Sequence, residues 1–304
     1  MDWLDQYFEK TDDFPRPNWE GIYRHIDDHL KGREGHELWC QISRNWIDRL
    51  KSELSENYSI HESENFLVLT SESKKYVGKY LKCLERTHKR ILDALHDIAS
   101  DEGFGKYVVL IFDDIDIYYS YMAHFYPEEG EFGISSGIYL NTGYGHFAFP
   151  HQDLLYAGSI TAHEMTHALV SHLPIPAWLN EGMAVNIENM ITRSAPLGMD
   201  RELFEKHQNF WGEDEIQEFW TGASFHRPDE GQELSYHLAQ LMVNSISHDY
   251  GSFIAFANLS DFRDGGESAA HEIYGKSLGR LIANILGEGS WAPKLESTTN
   301  GPRR

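Results

Sequence analysis

The segment that most restricts the fold is Tyr107-Val108-Val109-Leu110-Ile111-Phe112. Its near-continuous apolar character predicts an inner strand, covered on both faces. Phe66-Leu67-Val68-Leu69-Thr70 is a second short apolar run of the strand type. Between them, Lys74 to Ile98 reads as a long helix with Val77, Leu81, Leu84, Ile91 and Leu95 on its inner face. A helix over Ile115 to Phe125 and a less apolar strand over Gly133 to Leu140, ended by Asn141-Thr142-Gly143, complete a strand-helix-strand-helix-strand order for residues 64–141. Upstream, residues 1–60 read as acidic and helical. Asn18 caps a helix carrying Trp19, Ile22, Tyr23, Ile26 and Leu30, and a second helix covers His36 to Leu54 with Leu38, Ile42, Trp46 and Leu50 recurring. Thr11–Pro17, with two prolines, reads as a connector between them and the start of the chain. Beyond Asp153 the pattern is mostly helical, strongest over Asp153–Leu173, Pro176–Ile191 and Ser235–Tyr250. The expected class is α+β: a small mixed sheet, then a largely helical half. The expected organisation is an N-terminal helical region over 1–60, a main domain over 61–287 and a loose tail over 288–304.

Composition narrows the function. Lys and Arg total 26 against 48 Asp and Glu, a formal net charge of −22. Such a surface repels phosphate backbones, so no nucleic-acid partner is expected. No run approaches the ~20 apolar residues of a membrane helix, and Met1-Asp2-Trp3-Leu4-Asp5 has no apolar signal core. No membrane partner is expected, and the expected compartment is the cytoplasm. Two cysteines, Cys40 and Cys83, exclude a disulfide scaffold and a zinc site built on paired thiolates. The 17 histidines point instead to imidazole as the metal ligand.

They converge on His163-Glu164-Met165-Thr166-His167, an HExxH pattern inside a helical stretch. At ~100° per residue the two imidazoles stand ~40° apart on one face, so both can reach one cation without bending the backbone. Glu164 falls ~100° from His163 and ~60° from His167, beside the ion rather than on it. That suits a base acting on a metal-activated water. Composition alone yields such a pentapeptide roughly 0.1 times per chain of this kind, so the context must carry it. A hydrolytic zinc needs three protein ligands and an open fourth position. Pro174 and Pro176 end the first helix and start the next, whose Glu181 can return against the histidine pair. Glu181 shares a stripe with Ala184, Val185 and Glu188, and a carboxylate on so apolar a face is costly unless paired or metal-bound. Asp113-Asp114-Ile115-Asp116 lacks the spacing and the glycine of a calcium loop.

His163-Glu164-Met165-Thr166-His167 followed by Pro176-Ala177-Trp178-Leu179-Asn180-Glu181-Gly182-Met183-Ala184 resembles the gluzincin metallopeptidases, in particular the peptidase MA-like group. The resemblance extends from the strand-helix-strand region to about Leu286. It implies a zincin-like fold, Zn²⁺ on His163, His167 and Glu181, Glu164 as catalytic base, and a peptide or protein substrate. It also implies an oxyanion donor on a later helix, with Tyr236 the first choice and His237 the second, and an edge strand near Ile134–Leu140 that holds substrate backbone, with Gly133 and Gly137 allowing close approach. His146 and His151 lie between that strand and the metal helix as candidate cleft residues. The chain departs from the pattern at Val185, where some members carry an acidic residue supporting a histidine; Glu188 or Asn180 are the substitutes at hand. A gluzincin-like protein that serves binding or regulation remains the second class, distinguished from the enzyme by its metal content.

Overall fold

The strand Tyr107–Phe112 sits at the centre of a five-stranded mixed sheet in the computed structural model of the chain. The residues described are 1–9, 14–26, 32–103, 105–125 and 136–294. Along the chain the elements are β1 (Phe8–Glu9), β2 (Arg16–Pro17), α1 (Trp19–His25), α2 (Gly32–Glu53), β3 (Ser59–Glu62), β4 (Phe66–Thr70), α3 (Lys74–Ala94), β5 (Tyr107–Phe112), α4 (Ile115–Ala123), β6 (Ile138–Leu140), β7 (His146–Pro150) and α5 (Leu154–Val170). Then come seven helices: α6 (Ala177–Thr192), α7 (Arg201–Phe210), α8 (Glu215–Thr221), α9 (Glu230–Ile246), α10 (Tyr250–Leu259), α11 (Glu267–Tyr274) and α12 (Leu278–Leu286). The class is mixed α+β. Among the described residues no helix is long and apolar enough to cross a membrane.

The chain divides into two units, Met1–Arg90 with Asp101–Ala168, and Ile91–Ser100 with Leu169–Arg304. In the first, the sheet order is β3-β4-β5-β7-β6. The pairs β4–β5 and β5–β7 are parallel, whereas both edge strands run antiparallel to their neighbours. Every residue of β4 and all of β5 past Tyr107 are buried, which is why those strands are apolar without alternation. The helices of the first 60 residues share the core of one sheet face: Ile22, Trp39, Ile42, Trp46, Ile47 and Leu50 cluster with Leu67, Leu69, Val108 and Leu110. Asn18 caps α1 as expected, its side chain accepting the Gly21 N–H at 2.8 Å. Leu30, part of the Thr11–Pro17 connector, Gly133, Ile134 and the end of the expected tail lie outside the described residues. The acidic run after β5 is a strand-to-helix turn: Asp114 caps α4 by accepting from Asp116 N–H, and Asp113 accepts the Tyr58 hydroxyl.

β7 is absent from the sequence expectation, and it changes the account of His146. That residue is not a loop histidine: it is buried on β7. Its Nδ1 lies 2.7 Å from the Tyr144 carbonyl and so carries the hydrogen; its Nε2 accepts the Tyr121 hydroxyl at 2.7 Å. The rings of Trp46 and Phe125 pack against it. Burial pushes the imidazole pKa down from 6.5 to about 4. A histidine held neutral in the fold stabilises it fully above pH 6.5, and the contribution is lost as pH falls through about 4. The displacement corresponds to roughly 3 kcal/mol. Denaturant unfolding between pH 7 and pH 4 should therefore show falling stability with proton uptake on unfolding, and His146→Leu should flatten that slope. An unchanged slope would contradict the buried neutral state.

In the second unit, α6 and α9 pack along each other. Gly182 is the contact point, with the Ala239 backbone directly against it. Asn186 Nδ2 bridges the pair by donating to the carbonyls of Gly182 (2.7 Å) and Gln240 (3.0 Å). Trp178, fully buried, donates its indole N–H to the Gly265 carbonyl at 2.9 Å.

Candidate metal centre

Helix α5 buries Ala162, Met165, Leu169 and Val170, and that commitment turns His163, Glu164 and His167 to a half-buried face. Two hydroxyls remove the helix's polar liabilities on its buried side. Thr166 Oγ1 donates to the Ala162 carbonyl at 2.8 Å, and Thr161 shares a 2.8 Å hydrogen bond with the buried Tyr80 of α3. The rings of His163 and His167 stand 4.8 Å apart, nearly perpendicular at 81°. α6 begins at Ala177 behind Pro176, and Glu181 falls in its second turn, half-buried.

One ligand atom from each of His163, His167 and Glu181 lies within 4.8 Å of the other two. Three points so spaced share a centre no more than ~2.8 Å from each, and zinc bonds to nitrogen and carboxylate oxygen are ~2.0–2.2 Å. Side-chain movement of at most ~0.8 Å closes that gap, so the set fits a single divalent cation. Two imidazoles and one carboxylate suit zinc, whereas calcium and magnesium take oxygen ligands. Among the described residues this is the one group of three or more His, Cys, Asp or Glu side chains so arranged.

Glu164 Oε2 accepts the backbone N–H of Tyr139 at 2.8 Å. That bond joins the base candidate to β6, the strand at the sheet edge. Gly137 directly precedes β6. It is buried, and a Cβ there would stand 2.2 Å from the Phe149 ring and 2.9 Å from Ile160 Cγ2, so its missing side chain serves packing beneath the strand. The connection from β6 to β7 turns at Gly143, whose φ of +66° favours glycine and which lies flat against Trp19. His151 Nδ1 lies 2.5 Å from Glu72 Oε1.

On α9, Tyr236 is half-buried with its ring edge-on to Phe225, centroids 5.2 Å apart. His237 is buried and engaged elsewhere. Trp211 Nε1–H donates to His207 Nδ1 at 2.8 Å, so the other His207 nitrogen carries the hydrogen and donates to His237 Nδ1 at 2.7 Å. His237 Nε2 in turn donates to the Leu197 carbonyl at 3.2 Å. This relay requires both imidazoles neutral, in keeping with burial lowering both pKa values, His207 to about 4. With both ring nitrogens of His237 occupied, Tyr236 is the remaining donor candidate on this helix. Sequence reasoning missed the His207–His237 pair, because 30 positions separate two histidines that no spacing rule relates. Both cysteines are free, Cys40 and Cys83. No protein-family model matches the chain, and no curated protein does.

Proposed function

We propose that this chain is a zinc-dependent hydrolase of peptide bonds, with a zincin-like fold of the gluzincin type. The observation that carries the reading is the convergence of His163, His167 and Glu181 within 4.8 Å, on consecutive helices and with Glu164 beside the pair. Those three residues would hold the ion, and bound zinc supplies Lewis acidity that lowers the pKa of water and polarises a carbonyl. Glu164 takes the proton of the attacking water and delivers it to the leaving amine. The Tyr236 hydroxyl donates to the developing oxyanion, a contribution of roughly 3 kcal/mol for a well-placed donor. The edge position of β6 favours an extended peptide as substrate, since a strand edge binds main chain with little demand on side chains.

The test is an unbiased peptide-cleavage profile of the purified protein. Cleavage should vanish when a chelator strips the metal and return with one equivalent of zinc per chain. His167→Ala should remove zinc binding and cleavage together. A zinc-loaded protein that cuts no peptide in a broad library, or cleavage indifferent to the chelator, would overturn the proposal.

A further inference from the structure

The base candidate accepts a hydrogen bond from a backbone group of the edge strand. Tyr139 stands opposite Phe147 in the β6–β7 ladder, and Ile138 and Leu140 stand opposite Ala148 and His146. In an antiparallel pair, alternate residues turn their N–H and C=O away from the partner strand. Tyr139 is such a residue, because its N–H reaches Glu164 Oε2 at 2.8 Å rather than β7. The donor is itself braced. Gly137 is clamped by Phe149 and Ile160, Gln152 Nε2 donates to the Ser136 carbonyl, and Ser136 Oγ bonds the Tyr156 hydroxyl at 3.2 Å. Tyr76 fixes Gln152 in turn, donating to its carbonyl at 2.9 Å.

A glutamate side chain has three rotors and two equivalent oxygens. One short, charge-assisted bond from a rigid amide fixes Oε2 and directs Oε1. We propose that the backbone N–H of Tyr139 is a positioning group for Glu164, orienting its other oxygen for proton transfer while the ligands hold the ion. This inference rests on the hydrolase reading above and adds the edge strand to the machinery in a role apart from substrate binding.

Tyr139→Pro deletes that N–H and no other ladder donor, at an edge position facing away from the neighbouring strand, where proline is tolerated. We expect kcat to fall 10- to 100-fold, KM to change less than about threefold, and zinc to remain near one per chain. On a Glu164→Ala background the same substitution should cause no further loss, since no carboxylate is left to orient. A structural defect would instead lower kcat equally in both backgrounds. If Tyr139→Pro fails to fold, replacing tyrosine by its α-hydroxy acid at this position removes the N–H and keeps the ring. An independent readout is amide hydrogen exchange. Tyr139 should be protected in the unsubstituted chain and lose that protection in Glu164→Ala, with or without zinc. Unchanged kcat, equal losses in the two backgrounds, or Tyr139 exchange insensitive to Glu164 would each overturn the positioning role. An unsubstituted chain without chelator-sensitive cleavage would overturn the hydrolase reading instead.

Discussion

Glu164→Gln should lower kcat by about 10²–10⁴-fold, the contribution typical of a positioned general base, while zinc stays near one equivalent per chain. The substitution is well matched to the question. Glutamine keeps the length of the side chain and an oxygen that can still accept the Tyr139 N–H, so the link to β6 survives. It removes only the capacity to take a proton. His163, His167 and Glu181 are untouched, so metal content separates lost chemistry from a lost site. Full activity in the variant would remove Glu164 from the mechanism, and loss of zinc alongside activity would make it a structural support of the ligands.

The second large effect is structural and falls one residue from Glu181, the third candidate ligand. A methyl added at Gly182 would lie 2.5 Å from the Ala239 carbonyl oxygen, 2.9 Å from its carbon and 2.6 Å from Val243 Cγ2. Val243 can rotate; the carbonyl cannot move without shifting α9. Alanine gains about 1 kcal/mol over glycine in a helix interior, but overpacking against fixed backbone costs about 1–3 kcal/mol or more. The collision wins, and Gly182→Ala should destabilise the protein by about 2 kcal/mol, with weaker zinc affinity as Glu181 moves with its helix. Gly78 on α3 is the control: it is exposed and nothing stands within 4 Å of an added Cβ. Gly78→Ala should be neutral or stabilising by up to about 1 kcal/mol. Thermal unfolding of the two variants side by side checks the contrast. Equal stabilities would mean that α6 and α9 do not approach as closely as the structure has them.

What could be read in the sequence follows from where the information lies. β4, β5, α2, α3, α5 and α6 are written in local periodicity, because each buries a face or stripe that recurs along a few turns. Helix ends were less legible. α9 starts at Glu230, ahead of the expected Ser235, since Asp229 caps it by accepting the Gly231 N–H and its first turn carries no apolar stripe. β3 and β7 are hard to read in the sequence for opposite reasons. β3 is short, polar and at an edge; β7, His146-Phe147-Ala148-Phe149-Pro150, begins with an imidazole and ends with a proline, so its burial is hidden by composition. The convergence of His163 and His167 is legible because the HExxH pattern is local in sequence. The contact of Glu164 with Tyr139 is not, since a backbone N–H leaves no trace in residue identity. Gly137 shows the converse: glycine announced a close approach, but only the packing of Phe149 and Ile160 says to what.

The account turns on whether the three side chains hold one metal ion. Crystals grown with zinc and measured on both sides of the zinc absorption edge test this directly. The account predicts a single anomalous peak within ~2.0–2.2 Å of a nitrogen of His163, a nitrogen of His167 and a carboxylate oxygen of Glu181, the zinc–ligand distances of such donors. No anomalous density among these residues at saturating zinc, or a peak bound to other side chains, would contradict it.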